Sequence, residues 1–301
     1  MKHYLSMVTS MKTIFPKDPL DWVLWHKYLG FEHFYIIDDG CEPPLQDILE
    51  PYSDIITYFS IDNKNKLRTH REIIREMFKR CKPETRWLAF MDEDEYLMPL
   101  GKKSIREFLT TIEDKNAVYL QWRIFGPEGK WEPLSDDEII MDEYRTYSYA
   151  CQGKMIVNTD LVEDIEKDAR YDQHRLVRED VVDCYGDPID PDYLDHFYSQ
   201  GCGRGGKDVR PDMPFVINHY AYRSYDHMIY RLFDRGCIQR KDSHRFLTER
   251  LLGEVLRFTS PKNQYLDLIE KELKNLNLTD VKTFIYSPNP EVLTGEIEEL
   301  T

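Results

Sequence analysis

The stretch that most constrains this chain is Trp87-Leu88-Ala89-Phe90-Met91-Asp92-Glu93-Asp94-Glu95-Tyr96, an apolar run of strand length that ends in four consecutive carboxylates. Alternate side chains of a strand share a face, so Asp92 and Asp94 are expected to point the same way. Two carboxylates projecting together from the end of a buried strand repel each other and resist desolvation unless a cation compensates them. A divalent ion is the simplest compensation. Oxygen ligands of this kind suit Mg²⁺ or Mn²⁺, which keep coordination positions open for water and substrate phosphates. The Asp-x-Asp pattern therefore points to nucleotide-phosphate chemistry. A solvated acidic turn is the plain alternative. The apolar residues on both sides, Trp87 to Met91 and then Tyr96, Leu97 and Met98, argue instead for an edge of the core.

Composition narrows the class. The chain has 301 residues and a formal charge of −15, which argues against nucleic acid or an anionic membrane as the main partner. It leaves room for a nucleotide, because one metal ion neutralises a diphosphate locally. The six cysteines (Cys41, Cys81, Cys151, Cys184, Cys202, Cys237) form no C-x-x-C pair, so neither a zinc site nor a disulfide framework is indicated. No apolar run approaches the ~18 residues of a membrane span, and Met1 to Phe15 has no long apolar signal segment. A soluble, cytoplasmic product is the expectation.

Periodicity and punctuation give an α/β order. Tyr4–Thr9 reads as a first strand, and Asp18-Pro19 as an N-cap and first helical residue, with Trp22, Trp25, His26 and Leu29 at helical spacing and Gly30 as the stop. The Trp22 and Trp25 stripe reads as core packing. Phe31–Ile37 is a strand closing on Asp38-Asp39-Gly40, followed by a short helix around Leu45 and Leu49 and a strand over Ile55–Phe59. Thr69 and Glu72 form a capping box ahead of a helix through Phe78, and Ser104 and Glu107 form a second. Strand, helix, strand succession predicts a mostly parallel twisted sheet flanked by helices. Val118, Leu120, Trp122 and Ile124 alternate as a half-buried strand, while Tyr144–Cys151 and Lys154–Val157 read as two further strands in a more mixed second half. Phe215–Ile217 is the last strand, running into Asn218-His219-Tyr220, after which Ser224 caps a helix. Two more helices, about Ser243–Leu256 and Asn263–Asn275, precede a polar tail, so residues 1–240 are expected to form the main domain and 241–301 a helical extension packed on it.

Open α/β sheets bind ligands beyond the carboxyl ends of their strands. Asp38-Asp39, Asp92-x-Asp94 and His219 all follow strands. Three segments, Trp22 through Asp39, Trp87 through Tyr96, and Asn218-His219-Tyr220 with Ser224, together resemble glycosyltransferase family 92 and its relatives in the family 2 group, over about residues 4 to 236. The resemblance implies a GT-A-like fold, a nucleotide-sugar donor that is usually UDP-linked, a hydroxyl or glycan acceptor, and a Mn²⁺-dependent (or Mg²⁺-dependent) transfer that often inverts the anomeric centre. Asp92 and Asp94 match the family's Asp-x-Asp, with Asp94 the more direct metal ligand, Glu93 between them facing the donor, and His219 a further metal or diphosphate contact. Asp38 and Asp39 match an acidic pair that would meet the nucleoside. Lys154 and His174 stand where the family places a basic residue and a histidine.

Two departures accompany these matches. Ser10-Met11-Lys12-Thr13 replaces the Lys-Asn-Glu that relatives carry after the first strand, and Cys41 stands where a serine is usual. Eukaryotic relatives carry a membrane anchor ahead of the domain, whereas here the first strand begins at once, which gives a bacterial or viral cytosolic enzyme as the expectation. The remaining roles have competing plain readings. Glu179-Asp180 is the first choice for the base that deprotonates the acceptor, against a solvated acidic face; His174 competes for that role, against a structural hydrogen-bonder. Lys154 is a phosphate contact or an exposed strand lysine. Arg204 and Lys207, in the glycine-rich segment 201–207, are donor-closing cations or ordinary loop residues. Competing functions are a metal-dependent nucleotidyltransferase or phosphohydrolase, and a non-catalytic carbohydrate-binding descendant.

Overall fold

The computed structural model describes residues 2–61, 70–126, 128, 130, 132–163, 165, 179–190, 212–221, 223, 224, 226, 227, 230 and 297–299. The expected helices over 243–256 and 263–275, the Thr69 capping box, His174, Arg204 and Lys207 lie outside these residues. The chain divides into two compact units. One comprises Met1–Arg123, Tyr149–His219 and Val292–Thr301, and the other Ile124–Ser148 and Tyr220–Glu291.

The first unit is built on strands β1 (His3–Met11), β2 (His33–Asp38), β3 (Ile56–Ile61) and β4 (Thr85–Phe90), joined through helices α1 (Lys17–Tyr28), α2 (Leu45–Ile48) and α3 (His70–Cys81). β1 pairs in parallel with both β2 and β4, and β2 with β3. These strands are nearly continuous apolar runs because both sheet faces are covered. On one face Val8, Tyr35, Ile37, Phe59, Leu88 and Phe90 join Ile73, Ile74, Met77 and Phe78 of α3 in a single buried cluster. On the other, Trp22 of α1 meets Phe34 edge-on at 5.9 Å. The parallel core follows the alternation of strand and helix in the sequence.

Beyond β4 the sheet is mixed. β5 (Glu95–Pro99), α4 (Ile105–Thr110), β6 (Ala117–Phe125), α5 (Ile140–Glu143), β7 (Tyr147–Asn158), β8 (Val181–Val182), β9 (Phe215–His219) and β10 (Ile297–Glu299) complete the described strands and α-helices. The order is β10-β3-β2-β1-β4-β7-β6-β9-β5, with β8 alongside β6. β4 with β7, β5 with β9, and β10 with β3 are antiparallel. The sheet is therefore mixed α/β, less parallel than the sequence pattern suggests, because the second half returns through strands and short helices.

Local corrections follow. Helix α1 starts at Lys17 behind Pro16, where the Asp18 amide already donates to the Phe15 carbonyl at 3.1 Å, so Asp18 lies inside the first turn and is no N-cap. Gly30 does end it, at φ +96°. Tyr144–Cys151 and Lys154–Val157 are not separate strands, since β7 runs unbroken from Tyr147 to Asn158. It can do so because Gly153 lets the strands approach closely: a Cβ there would lie 2.0 Å from the Leu120 carbonyl oxygen. β6 is buried on both faces, not half-buried. The Ser104–Glu107 capping box forms as expected, with both reciprocal bonds.

Candidate active site

Asp92, Glu93 and Asp94 do not continue the β4 strand. They form a tight turn, closed by the Glu95 amide donating to the Asp92 carbonyl at 3.0 Å, from which β5 departs. The turn is pinned from below by α1. The Trp22 indole N–H is shared between the carbonyls of Asp92 (3.1 Å) and Glu95 (2.9 Å), and the Trp25 indole donates to Leu97 at 2.8 Å. His26 completes the brace: its Nδ1 bonds the Trp22 carbonyl at 2.9 Å while Nε2 receives the Leu97 amide at 3.2 Å. With Nε2 accepting, the proton resides on Nδ1. Complete burial holds this ring's pKa down to about 3. The helical stripe is thus more than packing. Its polar atoms hold the acidic turn and the start of β5.

The carboxylates of the turn divide into two groups. Asp92 Oδ2 and Glu95 Oε2 receive the Lys154 ammonium at 2.8 and 3.1 Å, and Glu95 Oε2 also accepts the Asp92 amide at 2.9 Å. Lys154 and Glu95 are both fully buried. Burial pushes the Glu95 carboxyl well above the usual range, opposed by the lysine. Burial pulls on Lys154 the other way, but the charges of Asp92 and Glu95 outweigh it and hold the ammonium protonated above its ordinary value. Asp94 belongs to the second group. The β5–β9 register sets Glu95 opposite His219 and Tyr96 opposite Asn218, which brings His219 Nε2 to 3.4 Å from Asp94 Oδ1.

His219 is 8 % exposed, and among the described residues neither of its ring nitrogens makes a hydrogen bond. Trp122 lies against the ring at 4.5 Å between centroids, and the same indole sits 5.9 Å from the Lys154 ammonium. Next to it, Arg123 donates twice to the Asn218 side-chain oxygen, at 3.0 and 2.7 Å, fixing the strand that carries His219.

The other sequence candidates are placed elsewhere. Asp38 spends its carboxylate on its own loop: Oδ1 accepts the amides of Gly40 (2.9 Å) and Cys41 (2.8 Å), and Oδ2 that of Leu45 (3.0 Å). Asp39 is half-buried beside it, its amide bonded to the Met11 carbonyl. Cys41 fills the same loop, its thiol donating to Met11 and pushed by burial to about 12. Glu93 is buried in the acidic turn. Glu179 and Asp180 form an exposed turn bonded through their carbonyls to Asn116, whose own carbonyl receives the Asn158 amide. Asn158 pairs with Trp87, at the opposite end of β4 from the acidic turn. The structure thus brings together Asp92, Asp94, Lys154 and His219, with Glu93 in the same turn, and places Glu179-Asp180 at the start of β6. Sequence reasoning missed Glu95, Trp122, Arg123 and Asn218 as site components. Glu95 lay in plain view as the fourth carboxylate, but only the register reveals its burial.

The fold and site are a mixed α/β sheet with an acidic turn after its fourth strand and a histidine facing that turn. The sequence model of glycosyltransferase family 92 matches residues 6–168, just over half of the chain, and the chain belongs to that family. A glycosyltransferase family 92 protein of Arabidopsis thaliana is 23% identical over 107 residues, covering 35% of this chain and 19% of its own length. The chain thus matches about a fifth of that relative. Among solved structures, TarS of S. aureus overlaps 57% of this chain and 31% of its own at 15% identity and a TM-score of 0.34. HddC of Yersinia pseudotuberculosis overlaps 67% of this chain and 98% of its own at 10% identity and a TM-score of 0.32. Scores at this level describe partial overlap, and the family assignment rests on the sequence match. No helix among the described residues is long and apolar enough to cross a membrane.

Proposed function

We propose that this chain is a metal-dependent glycosyltransferase of GT-A architecture, moving a hexose from a UDP-type nucleotide-sugar donor to a glycan or other hydroxyl acceptor with inversion. The observation that carries this reading is the approach of His219 to Asp94 at the end of β4, in a chain of family 92. The donor set suits Mn²⁺ or Mg²⁺. Asp94 offers a carboxylate oxygen and His219 an imidazole nitrogen without a hydrogen bond among the described residues, a combination that favours Mn²⁺ over Mg²⁺. Among the described residues no group of three or more His, Cys, Asp or Glu side chains forms a ready cage.

When bound, the ion would stabilise charge developing on the departing diphosphate. The chain's own residues do the positioning. Trp22 fixes the turn's backbone, Lys154 holds Asp92, Trp122 backs the His219 ring, and Arg123 anchors Asn218. Glu179-Asp180 and His174 are the candidates for the acceptor base, the former in an exposed turn bonded to Asn116 at the start of β6.

Isothermal titration of UDP, GDP and their sugar conjugates, with and without Mn²⁺, into wild type and Asp94→Ala tests the reading. One UDP-sugar should bind with metal alone, and the variant should lose it. Absence of nucleotide binding under every condition would overturn the proposal.

A further inference from the structure

The acidic turn contains a cation of its own. Lys154 reaches Asp92 and Glu95 from β7, a strand antiparallel to β4, and is sealed from solvent. Its position is fixed by more than charge. Gly153 beside it permits the close approach of β7 to Leu120, and the Trp122 indole lies 5.9 Å from its ammonium. A buried lysine so enclosed is not placed to meet a phosphate in solvent. Asp94 pairs instead with His219, which lies against the same Trp122 indole and is nine-tenths buried with neither ring nitrogen hydrogen-bonded among the described residues.

We infer that Lys154 is a built-in counter-cation that occupies the Asp92–Glu95 half of the acidic turn and thereby confines a divalent ion to the Asp94–His219 half. Lys154 is thus a positioning residue. The inference rests on the metal-dependent reading above and adds to it which carboxylates the ion is denied. The physical reason is competition for the same negative charge. A fixed ammonium repels a second cation and satisfies the oxygens that would otherwise wrap around it, so the ion binds at one carboxylate and one imidazole. Removing the ammonium should lift its repulsion of the ion and leave the Asp92 carboxylate without its cation.

The test is Mn²⁺ titration of the full chain, followed by calorimetry and by thermal melting with and without metal. Lys154→Met should bind Mn²⁺ at least about tenfold more tightly than wild type, because a unit and a double charge several ångströms apart repel by well over RT even at an effective dielectric of about 20. Its melting temperature should rise with Mn²⁺ by more than that of wild type, as linkage to tighter binding requires. A purely structural lysine would lower stability equally in both buffers. Should Lys154→Met fail to fold, the same comparison is made between Glu95→Gln and the double variant Lys154→Met/Glu95→Gln, in which one of the lysine's two carboxylate partners is already neutral. Affinities unchanged by loss of the lysine in both backgrounds, with Asp94→Asn still abolishing binding, would overturn the counter-cation and leave the metal site standing. Binding by Lys154→Met where wild type binds none would uphold the counter-cation and overturn the metal-dependent function. No Mn²⁺ bound by any variant would overturn both.

Discussion

Two acidic turns follow parallel strands of the same sheet and put their carboxylates to opposite uses. After β2, Asp38 turns back on its own loop and satisfies three backbone amides, so that its charge is consumed locally. After β4, the Trp22 indole holds the carbonyls of the turn and Glu95 Oε2 accepts the Asp92 amide, while the side chains of Asp92 and Asp94 face Lys154 and His219. A carboxylate that caps its own turn is architecture. One whose turn is held by somebody else's donor is available for chemistry. Sequence alone does not separate the cases, since both read as acidic residues at the end of an apolar run.

That contrast is open to breakage by substitution. The largest effect is expected at Asp94→Asn, where metal-dependent transfer should fall by about a hundredfold or more, the scale associated with losing a group that stabilises transition-state charge, with little change in melting temperature. Steady-state kinetics across a Mn²⁺ series reads it. Equal activity in the variant would place the β4 turn in the same category as the β2 turn.

Next comes Trp22→Phe, which leaves the carbonyls of Asp92 and Glu95 without their shared donor and opens space in the core. A loss of about 3 kcal/mol in denaturant unfolding is expected from the two effects together, along with weaker Mn²⁺ binding. A stability loss with metal affinity intact would mean that the indole braces the fold but not the site.

Acid should undo the same brace. His26 stays neutral in the fold to about pH 3, whereas the unfolded chain takes up a proton near 6.5. The stability it contributes is therefore complete above pH 6.5 and falls as pH drops below that value. Linkage gives a loss of about 2 kcal/mol at pH 5. Urea melts at pH 7.5 and 5.0 measure it, and His26→Asn should show a smaller difference between the two. The smallest effect is expected at Asp38→Asn. About 1 kcal/mol of stability should go with the charge on its hydrogen bonds, and any Mn²⁺ affinity should match that of wild type.

The parallel half of the fold was legible in the sequence because covered parallel strands announce themselves as apolar runs separated by helical spacing, as Phe31–Ile37 and Trp87–Met91 do. His219 was legible for a related reason, as a polar residue at the end of a strand. Lys154 was not, for a lone lysine in a strand reads as exposed, and its burial depends on Asp92 and Glu95 being met across strands far apart in the chain. The placement of Glu179-Asp180 was equally hidden. An acidic pair before a two-residue strand carries no sign of which strand it lies beside, and only the bonds to Asn116 at the start of β6 decide it. Trp22 and Trp25 misled in the other direction, since the periodicity of their rings concealed where their N–H groups go.

The distance along the chain between Lys154 and the acid it neutralises has a consequence for biosynthesis. Lys154 follows Asp92 by 62 residues, and Asn218 follows its Arg123 clamp by 95. During synthesis the parallel strands through β4 emerge first, so the growing chain carries the acidic turn before its counter-ion exists. Until β7 is made, that segment is a cluster of mutually repelling carboxylates at the edge of an unfinished sheet. A ribosome stalled before residue 154 would thus present a chain whose acidic turn is its least settled part, and arrival of a single lysine would change that.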